Sequence, residues 1–248
     1  MLTYLLLISA AFCAGLINSV AGGGSFFTFP ALVFTGVPSI NANASSTCAL
    51  IPGTLASAWA YRDDFKQSDD FPFRSMLIVS LLGGFVGALL LLSTSQRTFD
   101  SVLPWLMLGA TLLFAFGPQI SPLLRRIVHI GPVTLIAVQF VICIYGGYFG
   151  GAIGIMMLAA WSLFGMKNIH TMNANRTLLG SAMNTVAVIL FIIARKIWWT
   201  QTLAMLVASI TGGYVGARVA RGVNPRYIRI LVSIVNVAIT IAFFLRNR

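Results

Sequence analysis

Asn41 and Asn43 in SINANASST, and Asn173 and Asn175 in HTMNANRT, write the same amide pair twice at an offset of 132 residues. Ser45, Ser46 and Thr47 follow the first pair, and Arg176 follows the second directly. Neutral amide and hydroxyl donors suit an oxyanion that must bind and then leave. The planar guanidinium fork fits the oxygens of a carboxylate, sulfonate or phosphate. Each pair opens a long apolar segment, so N-capping accounts for one asparagine of each pair. It does not account for both. Arginine within a membrane segment is rare and usually faces a cavity or a partner. Snorkelling to the interface is the ordinary alternative for Arg176.

A third cluster lies in GLINSVAGGGSFFTFP, residues 15–30. Each glycine in a helix interior costs ~1 kcal/mol relative to alanine. Gly22, Gly23 and Gly24 therefore predict an unwound break with bare backbone N–H groups. Such a break is tolerated at membrane depth only where protein or a wet cavity satisfies it. A helix starting at Ser25 would turn its positive N-terminal end into that cavity, where it attracts anions. Close helix packing by small residues is the alternative. The candidate anion-binding set is Asn18, Gly22, Gly23, Gly24, Ser25, Asn41, Asn43, Asn173, Asn175 and Arg176.

Other chemistries find little support. Cys13, Cys48 and Cys143 sit in apolar segments without a CxxC spacing, as small packing residues do. His129 and His170 have no ligand spacing, so neither a metal nor a cofactor is expected. Glutamate is absent, and Asp63, Asp64, Asp69, Asp70 and Asp100 all lie near polar breaks. Without a carboxylate in any span, coupling would use histidine, the substrate's own proton, a sodium site of carbonyls and hydroxyls, or nothing. No HExxH, GxSxG or Walker pattern is present, and an enzyme is not expected.

The elements that must position these residues are apolar helices. The chain is 58% hydrophobic and 8% charged, with a mean hydropathy of +0.91. Soluble domains carry about 25% charged residues, so the lipid bilayer is the solvent. The net charge of +11 is scattered singly between apolar spans, which disfavours nucleic acid as a partner. Eight segments are long enough to span, at about 3–20, 42–61, 74–93, 99–117, 132–150, 172–194, 200–219 and 226–245. The first lacks a basic leader region and is expected to remain in the mature chain. Two shorter pieces, Ser25–Gly36 and Ala152–Gly165, suit half-helices or re-entrant segments. Gln139 and Asn184 read as interhelical hydrogen-bonding residues. Trp198 and Trp199 read as an interfacial belt, and Arg218 and Arg221 as topology charges.

The halves repeat. GGFVGA at 83–88 matches GGYVGA at 212–217, and Gly15 and Gly22 match Gly147 and Gly154. One unit is used twice, with residues 1–120 as the first repeat, 121–131 as the join and 132–248 as the second. The expected fold is all-α and polytopic, with four spanning helices and one short or re-entrant helix per repeat. If both short pieces cross, Lys and Arg divide ten against five between the two sides. If both re-enter, the division is nine against six. The first arrangement obeys the positive-inside rule better and makes the repeats inverted. It places both termini outside and the Arg62–Arg74 loop in the cytoplasm.

The pattern AGxxNxxAGGGsfxxxPaLxxxGxpxxxAnaSs, here residues 14–46, resembles the sulfite exporter TauE/SafE family of membrane transporters. Residues 146–177 are similar to that family's second repeat, and the likeness spans nearly the whole chain. The family often carries a second glycine cluster where this chain has Ile155-Met156-Met157. The resemblance implies a multi-pass carrier of small anions (sulfite, organosulfonates or small carboxylates) in the bacterial inner membrane. The site would lie where two discontinuous helices meet, and alternating access would come from one repeat rocking on the other. A passive anion channel and a scaffold subunit without substrate are the rivals. A homodimer is possible through the small-residue faces.

Overall fold

The computed structural model describes residues 2–20, 23–60, 71–128, 130–166, 168–219 and 225–246. Gly22, residues 61–70, Lys167, His129 and Arg221 lie outside the described residues. Among those described, all regular structure is helical. The elements are α1 (Leu2–Val20), α2 (Ser25–Phe34), α3 (Ser39–Ala60), α4 (Phe73–Ser93), α5 (Gln96–Ile127), α6 (Pro132–Tyr148), α7 (Ile153–Phe164), α8 (Ile169–Ile193), α9 (Trp199–Val219) and α10 (Pro225–Arg246). This is the all-α polytopic pattern of eight long helices and two short ones. By length and composition α1, α4, α5 and α8 are clear membrane spans. The short helices, of 10 and 12 residues, measure about 15–18 Å against a hydrocarbon core of ~30 Å. α5 runs on to Ile127, so most of the join expected at 121–131 is helical.

Local chemistry fixes the helix ends. Ser95 Oγ accepts from Thr98 N at 3.1 Å and caps α5. Asn168 Oδ1 accepts from Thr171 N at 3.3 Å and caps α8. α2 ends where Gly36 takes a φ of 91° and Val37 N reaches back to Leu32 O at 3.1 Å. α7 ends the same way, with Gly165 at a φ of 111° and Met166 N on Trp161 O at 3.0 Å. These backward bonds satisfy carbonyls that a helix end would otherwise orphan.

The repeated glycine motifs build two seams between the halves. α1 packs on α9, and α4 packs on α6. A Cβ placed on Gly15 would lie 2.7 Å from Gly213 N, and one on Gly216 would lie 2.7 Å from Leu16 Cα. At the other seam, a Cβ on Gly87 would lie 2.8 Å from Tyr148 N, and one on Gly83 would lie 2.6 Å from Cys143 Cβ. Backbone therefore meets backbone, as small residues allow in membranes. Other long-helix pairings include α3 with α9, α4 with α8, α3 with α8 and α5 with α10. Exchanging the two halves maps these pairings onto one another. Outside the seams the surface is apolar, with Leu82, Ile189, Val207 and Ile234 among the exposed side chains.

Gln139 belongs to a closed polar cluster. Its Nε2 donates to Ser80 Oγ at 3.0 Å, and its Oε1 accepts from Trp161 Nε1 at 3.2 Å. α4, α6 and α7 are thus held together by satisfied groups, the structural role expected of it.

Candidate functional site

The glycine break and Arg176 meet at a cavity of about 90 Å³. Asn18 reaches it from the end of α1, Gly23 and Ser25 from the start of α2, and Gly150, Ile153 and Gly154 from the start of α7. α3 contributes Thr47, Leu50 and Thr54, and α8 contributes Arg176, Thr177, Gly180, Ser181 and Asn184. Phe149 supplies an aromatic wall.

The chain leaves the helical path where α1 stops, and Gly23 takes a φ of 103°. The N–H groups of Gly23 and Gly24 do not stand bare. Asn18 Oδ1 accepts both, at 3.1 and 3.0 Å. The asparagine comes from the last turn of α1 and so stands close enough to bridge the break. With its oxygen engaged, its Nδ2 is the donor left on a side chain that lines the cavity. Ser25 opens α2 at the cavity. Thr28, one turn further on, shares a hydroxyl bond of 2.6 Å with Ser46 of α3.

Arg176 is 6% exposed and stands in the second turn of α8. A Cβ on Gly154 would lie 3.0 Å from both its Cδ and its Nη1. The absence of a side chain at 154 is what gives the guanidinium its place beside α7. α3 and α8 face each other below, where Ser181 Oγ donates to Thr54 Oγ1 at 3.2 Å. Arg176 is the one charged side chain among the described lining residues.

The four repeated asparagines are not among the lining residues. Asn41 Nδ2 donates to Lys196 O at 2.9 Å, and Asn43 Nδ2 to Tyr148 O at 3.0 Å. Asn43 thus ties α3 to the end of α6, where carbonyls lack intrahelical partners, and Asn41 ties it to the connection between α8 and α9. Asn175 is buried, and Asn173 is half-buried. Nor do the pairs cap their helices. α3 begins at Ser39 and α8 at Ile169, which places all four within the helices. The cap of α8 is Asn168.

Thr47, Thr54, Thr177, Ser181 and Asn184 are cavity residues that the sequence reading did not assign to a site. The signal was present as spacing. Thr177, Ser181 and Asn184 recur at i, i+4 and i+7 on one helix face, as do Thr47, Leu50 and Thr54 at i, i+3 and i+7. Asn184, read as an interhelical hydrogen-bonding residue, stands on the cavity wall.

A polytopic helical protein that keeps a small polar chamber between two related halves has the architecture of a membrane transporter. The sulfite exporter TauE/SafE family model matches residues 7–243, and the chain belongs to that family. It is 30% identical over 237 residues to a probable membrane transporter protein of Haemophilus influenzae, covering 95% of this chain and 92% of that one. It is 29% identical over 233 residues to the probable membrane transporter protein YfcA of Escherichia coli, covering 93% and 85%. A third relative, the probable membrane transporter protein ORF9 of Sinorhizobium, is 25% identical over 237 residues, covering 95% and 90%. No solved structure matches.

Proposed function

We propose that this transporter carries a small oxyanion, of the sulfite or organosulfonate class, across a bacterial inner membrane by alternating access. The observation that carries this reading is the buried Arg176 sharing a chamber with Asn18 Nδ2 and the broken start of α2. Arg176 supplies charge and a two-pronged donor. Asn18 and Ser25 supply neutral donors that a departing anion can leave, while the hydroxyl protons of Thr177 and Ser181 are already given to Asn173 O and Thr54 Oγ1. A cavity of roughly 10–15 Å³ is enough for one water, so the chamber of about 90 Å³ has room for an oxyanion head group. Gly24 shapes the break and holds the cap with Asn18, while Asn41 and Asn43 fix the helices around it. Asn173 and Asn175 stay in the proposal as residues of the turns that carry Arg176.

A thermal-shift series on purified protein tests this. Sulfite and short alkanesulfonates are expected to raise the melting temperature by mass action, and Arg176→Ala to remove that rise while leaving the protein folded. Equal responses from the parent protein and Arg176→Ala would contradict the reading.

A further inference from the structure

The glycine seams bear on how the molecule can change shape. α1 belongs to the first half and α9 to the second, yet no Cβ fits between Gly15 and Gly213. α4 and α6 are locked across the halves in the same way at Gly83 and Gly87. Ser209 Oγ adds a buried bond from α9 to Ala49 O of α3 at 2.5 Å. With α8 packed on both α3 and α4, the helices α1, α3, α4, α6, α8 and α9 are laced into one body. Its halves cannot turn on each other without prising backbone from backbone, and packed interfaces switch between discrete states rather than deforming smoothly.

The short helices differ in being bounded by positive-φ residues, although Gly24 at the start of α2 is held as closely to α1, where a Cβ would lie 2.5 Å from Ala14 O. α2 lies between Gly23 at a φ of 103° and Gly36 at 91°. α7 lies between Gly150 and Ala152, at 83° and 59°, and Gly165 at 111°. Among the described residues Arg195 is the one other with a positive φ. Each short helix is latched to the six-helix body by a buried side-chain bond, Thr28 to Ser46 at 2.6 Å and Trp161 to Gln139 at 3.2 Å. Aromatic rings join α2 to the remaining pair of helices. Phe26 meets Phe114 of α5 at 5.8 Å, and Phe29 meets Phe243 of α10 at 5.9 Å. α7 packs on α5. On α10, Asn236 is fully buried with both amide atoms unpartnered among the described residues. That arrangement is costly, and a shift of α10 could relieve it.

We propose that the transporter moves by swinging α2 and α7, together with α5 and α10, against the interlocked six-helix body, and not by rocking one half on the other. The cavity lies on this boundary. Asn18, Thr54, Arg176 and Ser181 stand on the body, while Gly23 and Gly154 stand on the short-helix side. Swinging the short helices would draw Gly154 away from Arg176 and open the chamber. The proposal rests on the carrier reading, so its test has two independent readouts.

Cys13 and Thr211 line one outer groove between α1 and α9, and Leu6 and Phe34 line another between α1 and α2. Thr211→Cys is bridged to Cys13 with a bifunctional methanethiosulfonate. Leu6→Cys is bridged to Phe34→Cys in a Cys13→Ser background. Entry of radiolabelled sulfite into proteoliposomes is then measured. The α1–α9 bridge is expected to leave flux within about twofold, and the α1–α2 bridge to lower it at least about tenfold. Flux lost with the α1–α9 bridge, or unchanged with both, overturns the proposal. Absence of sulfite flux in every form, the unbridged protein included, counts against the carrier reading. The motion is then judged by pulsed dipolar spectroscopy in nanodiscs. Spin labels at Leu55→Cys and Leu112→Cys, on α3 and α5, are expected to give a broad or two-peaked distance distribution. Labels at Leu55→Cys and Val207→Cys, on α3 and α9, are expected to give one narrow peak. Two equally narrow peaks overturn the proposal.

Discussion

Gly154→Ala isolates the placing of Arg176 from its charge. The new Cβ would lie 3.0 Å from the arginine Cδ and Nη1, whereas carbon contacts are comfortable at about 3.5–4.0 Å. The guanidinium must then move by roughly 0.5 Å or more to restore that spacing. A hydrogen bond to a charged group contributes about 1.5–3 kcal/mol. Losing one prong of a two-pronged grip on an oxyanion should therefore weaken binding about 10- to 100-fold. The fold should survive. Alanine is favoured over glycine in a helix by up to ~1 kcal/mol, which offsets part of an overpacking cost of about 1–3 kcal/mol. Isothermal titration of sulfite into the purified variant measures the binding term, and its melting temperature measures the other. Gly109→Ala on α5 is the control, because nothing lies within 4 Å of a Cβ there. If Gly154→Ala melts normally and binds sulfite as tightly as the parent, the seat of Arg176 does not govern the site and the reasoning fails.

Three further substitutions follow from single observations. Asn18→Ala strips the acceptor from Gly23 N and Gly24 N and should destabilise the protein by about 2 kcal/mol or more. Asn18→Asp keeps the acceptor, so melting should recover while anion binding falls through like-charge repulsion; a stable Asp variant that binds sulfite normally would refute the placing of Asn18. Gly87→Leu thrusts a side chain into the α6 backbone near Tyr148 N. It should abolish the monodisperse peak in size-exclusion chromatography, which a merely lipid-facing glycine would not. Asn236→Leu replaces two unpartnered buried amide atoms with a side chain of similar volume. A rise in melting temperature corresponding to about 1–3 kcal/mol is expected, and a fall would show that the amide is satisfied.

Much of this architecture was readable as hydropathy and punctuation. Apolar runs and glycine breaks placed the ten helices, because a bilayer demands long apolar segments and penalises interrupted backbone. The tail of α5 was not readable, since SPLLRRI is polar enough to pass for a loop, while a helix can leave the bilayer and stay helical. The asparagine pairs misled for a related reason. Starting α3 at Ser39 and α8 at Ile169 moves all four from caps into helix turns, and spacing alone does not say which neighbour each amide meets. Asn43 finds the last carbonyl of α6, a contact 105 residues distant in sequence. The hydroxyl faces were hidden too. Thr47 and Thr177 bond back to carbonyls four residues earlier, of Asn43 and Asn173, as membrane threonines commonly do. GGFVGA and GGYVGA announced close packing, but their partners, Cys143, Tyr148, Phe12 and Leu16, come from the other half of the chain.

The repeated motifs also bear on why the site is lopsided. At the offset of 132 residues, Arg176 corresponds to Ala44, Asn18 to Gly150, and Gly154 to Gly22. Ala44 is fully buried, so the first half has no room for a matching arginine without rebuilding α3. The amide that crosses the break between α1 and α2 is met in the second half by a glycine of positive φ. At these two pairs of positions the first half holds the amide and the second the guanidinium, with a small residue at each equivalent place. The arginine needs Gly154 to stand where it does, and the cap on Gly23 needs Asn18. On the proposed reading, a symmetric pair of guanidiniums would hold an oxyanion more tightly than one guanidinium and one amide lining the same chamber. The expected stoichiometry is therefore one anion per chain, held in one orientation.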